Sequence, residues 1–225
     1  MRAAAKPRRR IWPWILGGIL AISATIILTS ILNGTWGAGS PTNEPTREPT
    51  PSATAFDPTP TGCLGGPSRD VDMLLAAEGS APHDLGGAIE FSASFVRWIQ
   101  RYPYPSSDEA EEVQGAALAS ESFTEDLAEY FRGRPDLSGG IVPEGTDYHM
   151  STLPGVWHVE TSEPDEVAVS IGSGYVVDGV LSTTLRSSIT VTVAWQGDGW
   201  KVISADGLRT PADLYEVGTD FTGGC

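Results

Sequence analysis

The apolar positions of this chain change period along its length, and each change marks a different kind of element. Residues 11–32 read IWPWILGGILAISATIILTSIL, an apolar run without a charge. At ~1.5 Å per residue, a helix of this length reaches ~33 Å, enough to cross a ~30 Å hydrocarbon core. Residues 37–62 then lose all periodicity. Pro41, Pro45, Pro49, Pro51, Pro58 and Pro60, mostly followed by Thr, predict an extended polyproline II spacer reaching as much as ~80 Å. Cys63 to Asp84 is an irregular lead-in with a short helical turn around Val71–Ala77. A helical stripe follows in Ala88, Phe91, Phe95, Trp98 and Tyr102, spaced by three and four, with Asp84 as N-cap. Ser106 and Glu109 have capping-box spacing and open a second helix through Val113, Ala117 and Leu118. A third, Ser122 to Arg132, places Phe123, Leu127, Tyr130 and Phe131 on one side.

Beyond the breakers Gly133, Pro135, Gly139 and Gly140 the period falls to two. Val156, His158 and Glu160 alternate with Trp157, Val159 and Thr161, and Glu163-Pro164-Asp165 turns the chain. Val167, Val169 and Ile171 lead through a Gly172/Gly174 kink to Tyr175–Val177. Asp178-Gly179 is a strong hairpin signal, because both turn positions tolerate positive φ. Val180 to Trp195 is a long β run, and Gln196-Gly197-Asp198-Gly199 turns it into Trp200–Ile203. Tight turns between successive strands predict consecutive antiparallel pairing. The expected fold is therefore α+β, about three helices on one face of a curved four-stranded antiparallel meander.

Charge fixes the expected topology. Arg2, Lys6, Arg8, Arg9 and Arg10 precede the apolar run, and no basic residue follows until Arg47. This asymmetry predicts a cytoplasmic tail at 1–10, a transmembrane helix at 11–32, an extracytoplasmic linker at 33–62 and an extracytoplasmic domain at 63–225. A cleaved signal peptide is the alternative. Against it, the run is long and no A-x-A site follows closely. A lipoprotein signal ending at Cys63 would need apolar residues where Pro and Thr stand. The chain carries a formal charge of −15. From Cys63 onward there are 8 Arg and Lys against 26 Asp and Glu, a net of −18. Such a surface repels nucleic acid and anionic headgroups, so direct nucleic-acid binding is not expected.

The two cysteines, Cys63 and Cys225, bracket this domain. Outside the membrane such a pair tends to oxidise, and one intramolecular disulfide is expected, with free thiols or an intermolecular bridge as alternatives. In chain-entropy terms, closing so long a loop is worth at most ~5 kcal/mol. His83, His149 and His158 show no metal-ligand spacing, and no cofactor is expected. Asp147, Tyr148, His149 and His158 are the catalytic candidates, with Tyr148 as proton donor and His149 as base. The position of Asp147, Tyr148 and His149 between Gly145 and Pro154 favours a surface loop instead, His158 alternates with Trp157, and no catalytic residue is assigned. Phe91, Phe95 and Trp98 read as core before they read as a ligand pocket. Asp108, Glu109, Glu111 and Glu112 form an acidic partner patch or simply complement a helix N-terminus. Asp206, Arg209 and Asp213 read as surface charges.

The order of elements over residues 85–207, and the stretch AWQGDGWKVISADG at 194–207, resemble the nuclear transport factor 2-like (cystatin-like) cone. In that superfamily three helices close over a bent sheet, and an aromatic ends one strand before a Gly/Asp turn. The whole layout resembles the inner-membrane scaffold subunits of type IV secretion and conjugation systems. It equally resembles accessory proteins of actinobacterial mammalian-cell-entry lipid transporters. The resemblance implies a non-enzymatic, single-pass subunit of an envelope complex, with other envelope proteins or a second copy as partners. A lipid or small-ligand binding accessory is the second implication, and a cone-fold isomerase or dehydratase the third. A cone filled by side chains favours the first, and a hollow one the others.

Overall fold

The computed structural model describes residues 59–134 and 136–225. The span at 11–32, the tail and most of the linker lie outside these residues. Among the described residues no helix is long and apolar enough to cross a membrane.

The fold is α+β, with five helices and a curled antiparallel half-barrel sheet. Helices α1 (Val71–Ser80) and α2 (Leu85–Ile99) come first, followed by β1 (Arg101–Tyr102), α3 (Ser107–Ala116) and α4 (Leu127–Arg132). The long strands are β2 (Tyr148–Glu163), β3 (Glu166–Val177), β4 (Val180–Gln196) and β5 (Gly199–Asp206). Helix α5 (Pro211–Val217) and β6 (Thr219–Asp220) close the chain. The sheet runs β1-β2-β3-β4-β5, with β6 also against β2. The expected four-strand meander is present as β2–β5, but two short strands extend the sheet to six. Two-residue strands are too short to show a period.

Local chemistry explains where the elements start. Asp70 caps α1 through the Met73 N–H, which makes a full helix of the expected short turn. Asp84 accepts from the Gly87 N–H at 2.7 Å to open α2. Ser106 and Glu109 form the capping box of α3. The third expected helix starts five residues late, at Leu127. The backbone before it is used elsewhere: the Phe123 N–H donates to the Ile203 carbonyl, and Asp126 caps the helix at Glu129. Helix α5 uses Thr210 as N-cap with Pro211 in its first turn, where a missing N–H is harmless.

The hairpins follow the turn chemistry. Asp178 and Gly179 have φ of 49° and 75° between β3 and β4. Trp195 pairs directly with Trp200 across the β4–β5 turn. Gly197, at φ 68°, serves that turn. Gly199 has a different role: a Cβ there would stand 1.9 Å from Glu78 Oε1, so the glycine admits the carboxylate that binds Lys201 Nζ at 2.6 Å.

The sheet has two faces. Val167, Val169, Ile171 and Tyr175 point inward with Met150, Val191, Val193 and Val202 and share one core with Phe91, Phe95 and Trp98 of α2. The outward positions pack on α5. A Cβ on Gly172 would meet Leu214 and Tyr215, so bare backbone is what lets this helix approach.

Candidate functional site

The densest polar construction lies where the incoming segment meets the C-terminal residues. Glu90 and Arg97 stand seven apart on α2, on the same side of the helix. The Glu90 carboxylate accepts from the backbone N–H groups of Thr61, Gly62 and Leu64 and from the Thr61 hydroxyl. The Arg97 guanidinium, fully buried, donates to the carbonyls of Gly62, Gly66 and Ser68. Burial, with Arg69 nearby, lowers its pKa to about 10, so it stays charged at neutral pH. One helix thus offers acceptors to the segment's donors and donors to its acceptors.

The disulfide closes the same junction. Cys63 and Cys225 are bonded, with Cα atoms 5.6 Å apart. Thr152 of β2 exchanges backbone and hydroxyl hydrogen bonds with Cys225 and donates to the Gly62 carbonyl. The Thr222 N–H donates to the Pro60 carbonyl at 3.0 Å, and β6 pairs with Val156 and Trp157. Packed structure therefore reaches back to Thr59, into the last residues assigned to the linker.

The catalytic candidates do not converge. Tyr148 begins β2 and is not in a loop; it is buried on the inner face, 5.9 Å from the Tyr175 ring. His149 points the other way, and burial, with Arg69 nearby, lowers its pKa. Asp147 is exposed. The alternation therefore separates the proposed donor from the proposed base. Burial raises the phenols of both Tyr148 and Tyr175, the latter to about 12, so both stay protonated. The hydroxyls of Ser173 and Ser187 are buried and find no hydrogen-bond partner among the described residues. Ser173 and Ser187 are directly opposed across β3 and β4.

His158 lies outward on β2, opposite Ser170. Beside it, Glu160 accepts from the Ser170 hydroxyl and from two nitrogens of Arg209. Arg209 is thus a strap between the sheet and the segment leading to α5, whereas Asp206 and Asp213 are exposed. The Arg209 hydrogen bonds hold the Glu160 carboxyl below its usual range. Phe91, Phe95 and Trp98 are wholly buried in the core. In the acidic patch, Asp108, Glu111 and Glu112 are exposed, but Glu109 is bound to Arg101 at 2.7 Å and to the α3 N-terminus.

A groove of about 640 Å³ runs along the outer face between α5 and β4, lined by Ile141, Leu185, Arg186, Pro211, Ala212 and Tyr215 with three threonines. A second cavity of about 500 Å³ lies beside His83 and Trp200. His83 stacks on Trp195 at 4.2 Å and meets the Asp165 carboxylate at 2.9 Å.

Sequence reasoning found the cysteines but missed the clasp around them. The available signal was a Glu and an Arg seven apart on an otherwise apolar helix. No family model matches the chain, and no significant similarity to a curated protein or to a solved structure is found.

Proposed function

We propose that this chain is a non-enzymatic, membrane-tethered subunit of an envelope assembly, a scaffold or accessory in conjugative transfer or secretion. Its domain is a cone of the nuclear transport factor 2-like kind. The carrying observation is the clasp, in which Glu90, Arg97 and the Cys63–Cys225 bond fix the end of the tether to the domain. A domain held on a long spacer is loaded at that point, and a covalent bond with two ionic side chains resists such a load. The inner face supports the same reading, because Phe91, Phe95, Trp98, Met150 and Ile171 fill it with side chains at 0% exposure. The separation of Tyr148 from His149 does not support the candidate acid–base pair.

A lipid or small-ligand accessory is the second reading, favoured by the outer groove, whose volume lies in the range of ligand sites. Crosslinking the full chain in its native membrane distinguishes them. Defined protein adducts support a scaffold. A monomer that carries only bound lipid contradicts it. An impermeant thiol label on a cysteine placed in the linker tests the tether's side: labelling only after permeabilisation contradicts an external domain.

A further inference from the structure

Among the described residues six large apolar side chains are exposed: Ile141, Leu153, Val180, Leu181, Leu208 and Val217, from 41% to 70%. Three of them stand at or next to the outer groove. Ile141 lines the outer groove. Leu208 lies two residues before its Thr210, whereas Val217, two residues after Tyr215 on α5, falls on another side of that helix. Leu181 reaches the site of Gly174 beside Pro154, and the Pro154 carbonyl accepts the Tyr215 hydroxyl at 3.2 Å. Val180 precedes Leu181 at the β3–β4 turn, whereas Leu153 lies against Gly224 at the disulfide junction. Ile141, Leu181 and Leu208 around a groove already lined by Leu185, Pro211, Ala212 and Tyr215 mark an interaction surface rather than ordinary exposure.

Charge decides the occupant. Among the residues lining the groove only Arg186 is charged, and its guanidinium is turned onto the carbonyls of Ser182 and Leu185. Around the apolar centre stand exposed carboxylates at Asp147, Asp178, Asp206, Asp213, Glu216 and Asp220. A second copy would bring the same acidic rim against this one, and an anionic bilayer would be repelled in the same way. A partner with an apolar ridge between lysines or arginines meets both features.

We propose that the outer face around α5 and the β3–β4 turn docks a protein segment of this kind, an apolar ridge flanked by basic side chains. The proposal rests on the scaffold reading and names the surface by which the subunit engages its partner.

The test uses the full chain and a 14-residue amphipathic Leu/Lys helix as probe, with its Leu/Glu counterpart as control. Binding is followed by titration and by hydrogen exchange. The Lys peptide is expected to protect residues 180–186 and 208–217 and to bind more weakly as salt rises. Leu208→Ser with Ile141→Ser, and separately Asp213→Asn with Glu216→Gln, should each weaken it at least tenfold. Glu111→Gln with Glu112→Gln on α3 should leave it unchanged. Equal binding of the Glu peptide, equal loss with the α3 variant, tighter binding to phosphatidylglycerol vesicles, or protection of this face by self-association would each overturn the proposal. If the face fails while membrane crosslinking still yields protein adducts elsewhere, the surface is wrong and the scaffold reading stands.

Discussion

Two regions of this domain bury polar groups, and they do so in opposite ways. At the clasp, Arg97 is fully buried yet its two terminal nitrogens meet three carbonyls, with only Nε unpartnered among the described residues, and Glu90 collects three backbone N–H groups and a hydroxyl. On the inner face, the hydroxyls of Ser173 and Ser187 are buried without a partner among the described residues. A charge out of water is tolerated only when paired or hydrogen-bonded, so removing a clasp residue strands its partners. An unpartnered hydroxyl has nothing to strand. The difference teaches where this sequence spends its polar groups: on joining residues 61–68 and the C-terminal residues to α2 and β2.

Breaking the clasp should give the largest effect. Arg97→Ala leaves the carbonyls of Gly62, Gly66 and Ser68 without their donor and should cost about 3–5 kcal/mol in denaturant unfolding. Replacing Cys63 and Cys225 by Ser should cost about 2–4 kcal/mol, mostly through the freed unfolded chain. If either change is neutral, the junction does not hold the domain together.

The Glu160–Arg209 strap adds a pH test on the outer face. Its carboxyl is depressed in the folded state, so its contribution is present above the ordinary carboxylate pKa, about 4.3, and is lost as pH falls through the folded value. The stability difference between the natural protein and Glu160→Gln should therefore shrink below about pH 4. A difference that grows on acidification would reverse the assignment. The smallest effect is expected on the inner face. Ser173→Ala should raise stability by on the order of 1 kcal/mol, because it removes an unpaired buried hydroxyl. A drop would mean that the hydroxyl has a partner in solution.

Features set by neighbouring residues were legible in the sequence. Asp178-Gly179 and Gln196–Gly199 specify their turns locally, and Ser106 with Glu109 specifies a cap. The disulfide was legible because two cysteines allow one intramolecular pairing. Helix α4 was read too long because a tertiary hydrogen bond, Phe123 N–H to Ile203, captures backbone that periodicity assigns to a helix. Helix α5 went unread although Thr210-Pro211 is a proper start, since seven residues show little period. Tyr148 was placed in a loop because the Gly- and Pro-rich residues around it mask the first turn of alternation in β2. The clasp was illegible for a deeper reason. Periodicity reports which side of α2 is buried, but not that residues 61–68 lie against that side.

The most direct test is hydrogen exchange on the full, oxidised chain. The amides of Thr61, Gly62 and Leu64, each bound to Glu90, should exchange as slowly as the core of α2 and should speed up in Glu90→Ala. Fast exchange at these three amides in the natural protein, with α2 still protected, would contradict a clasped junction.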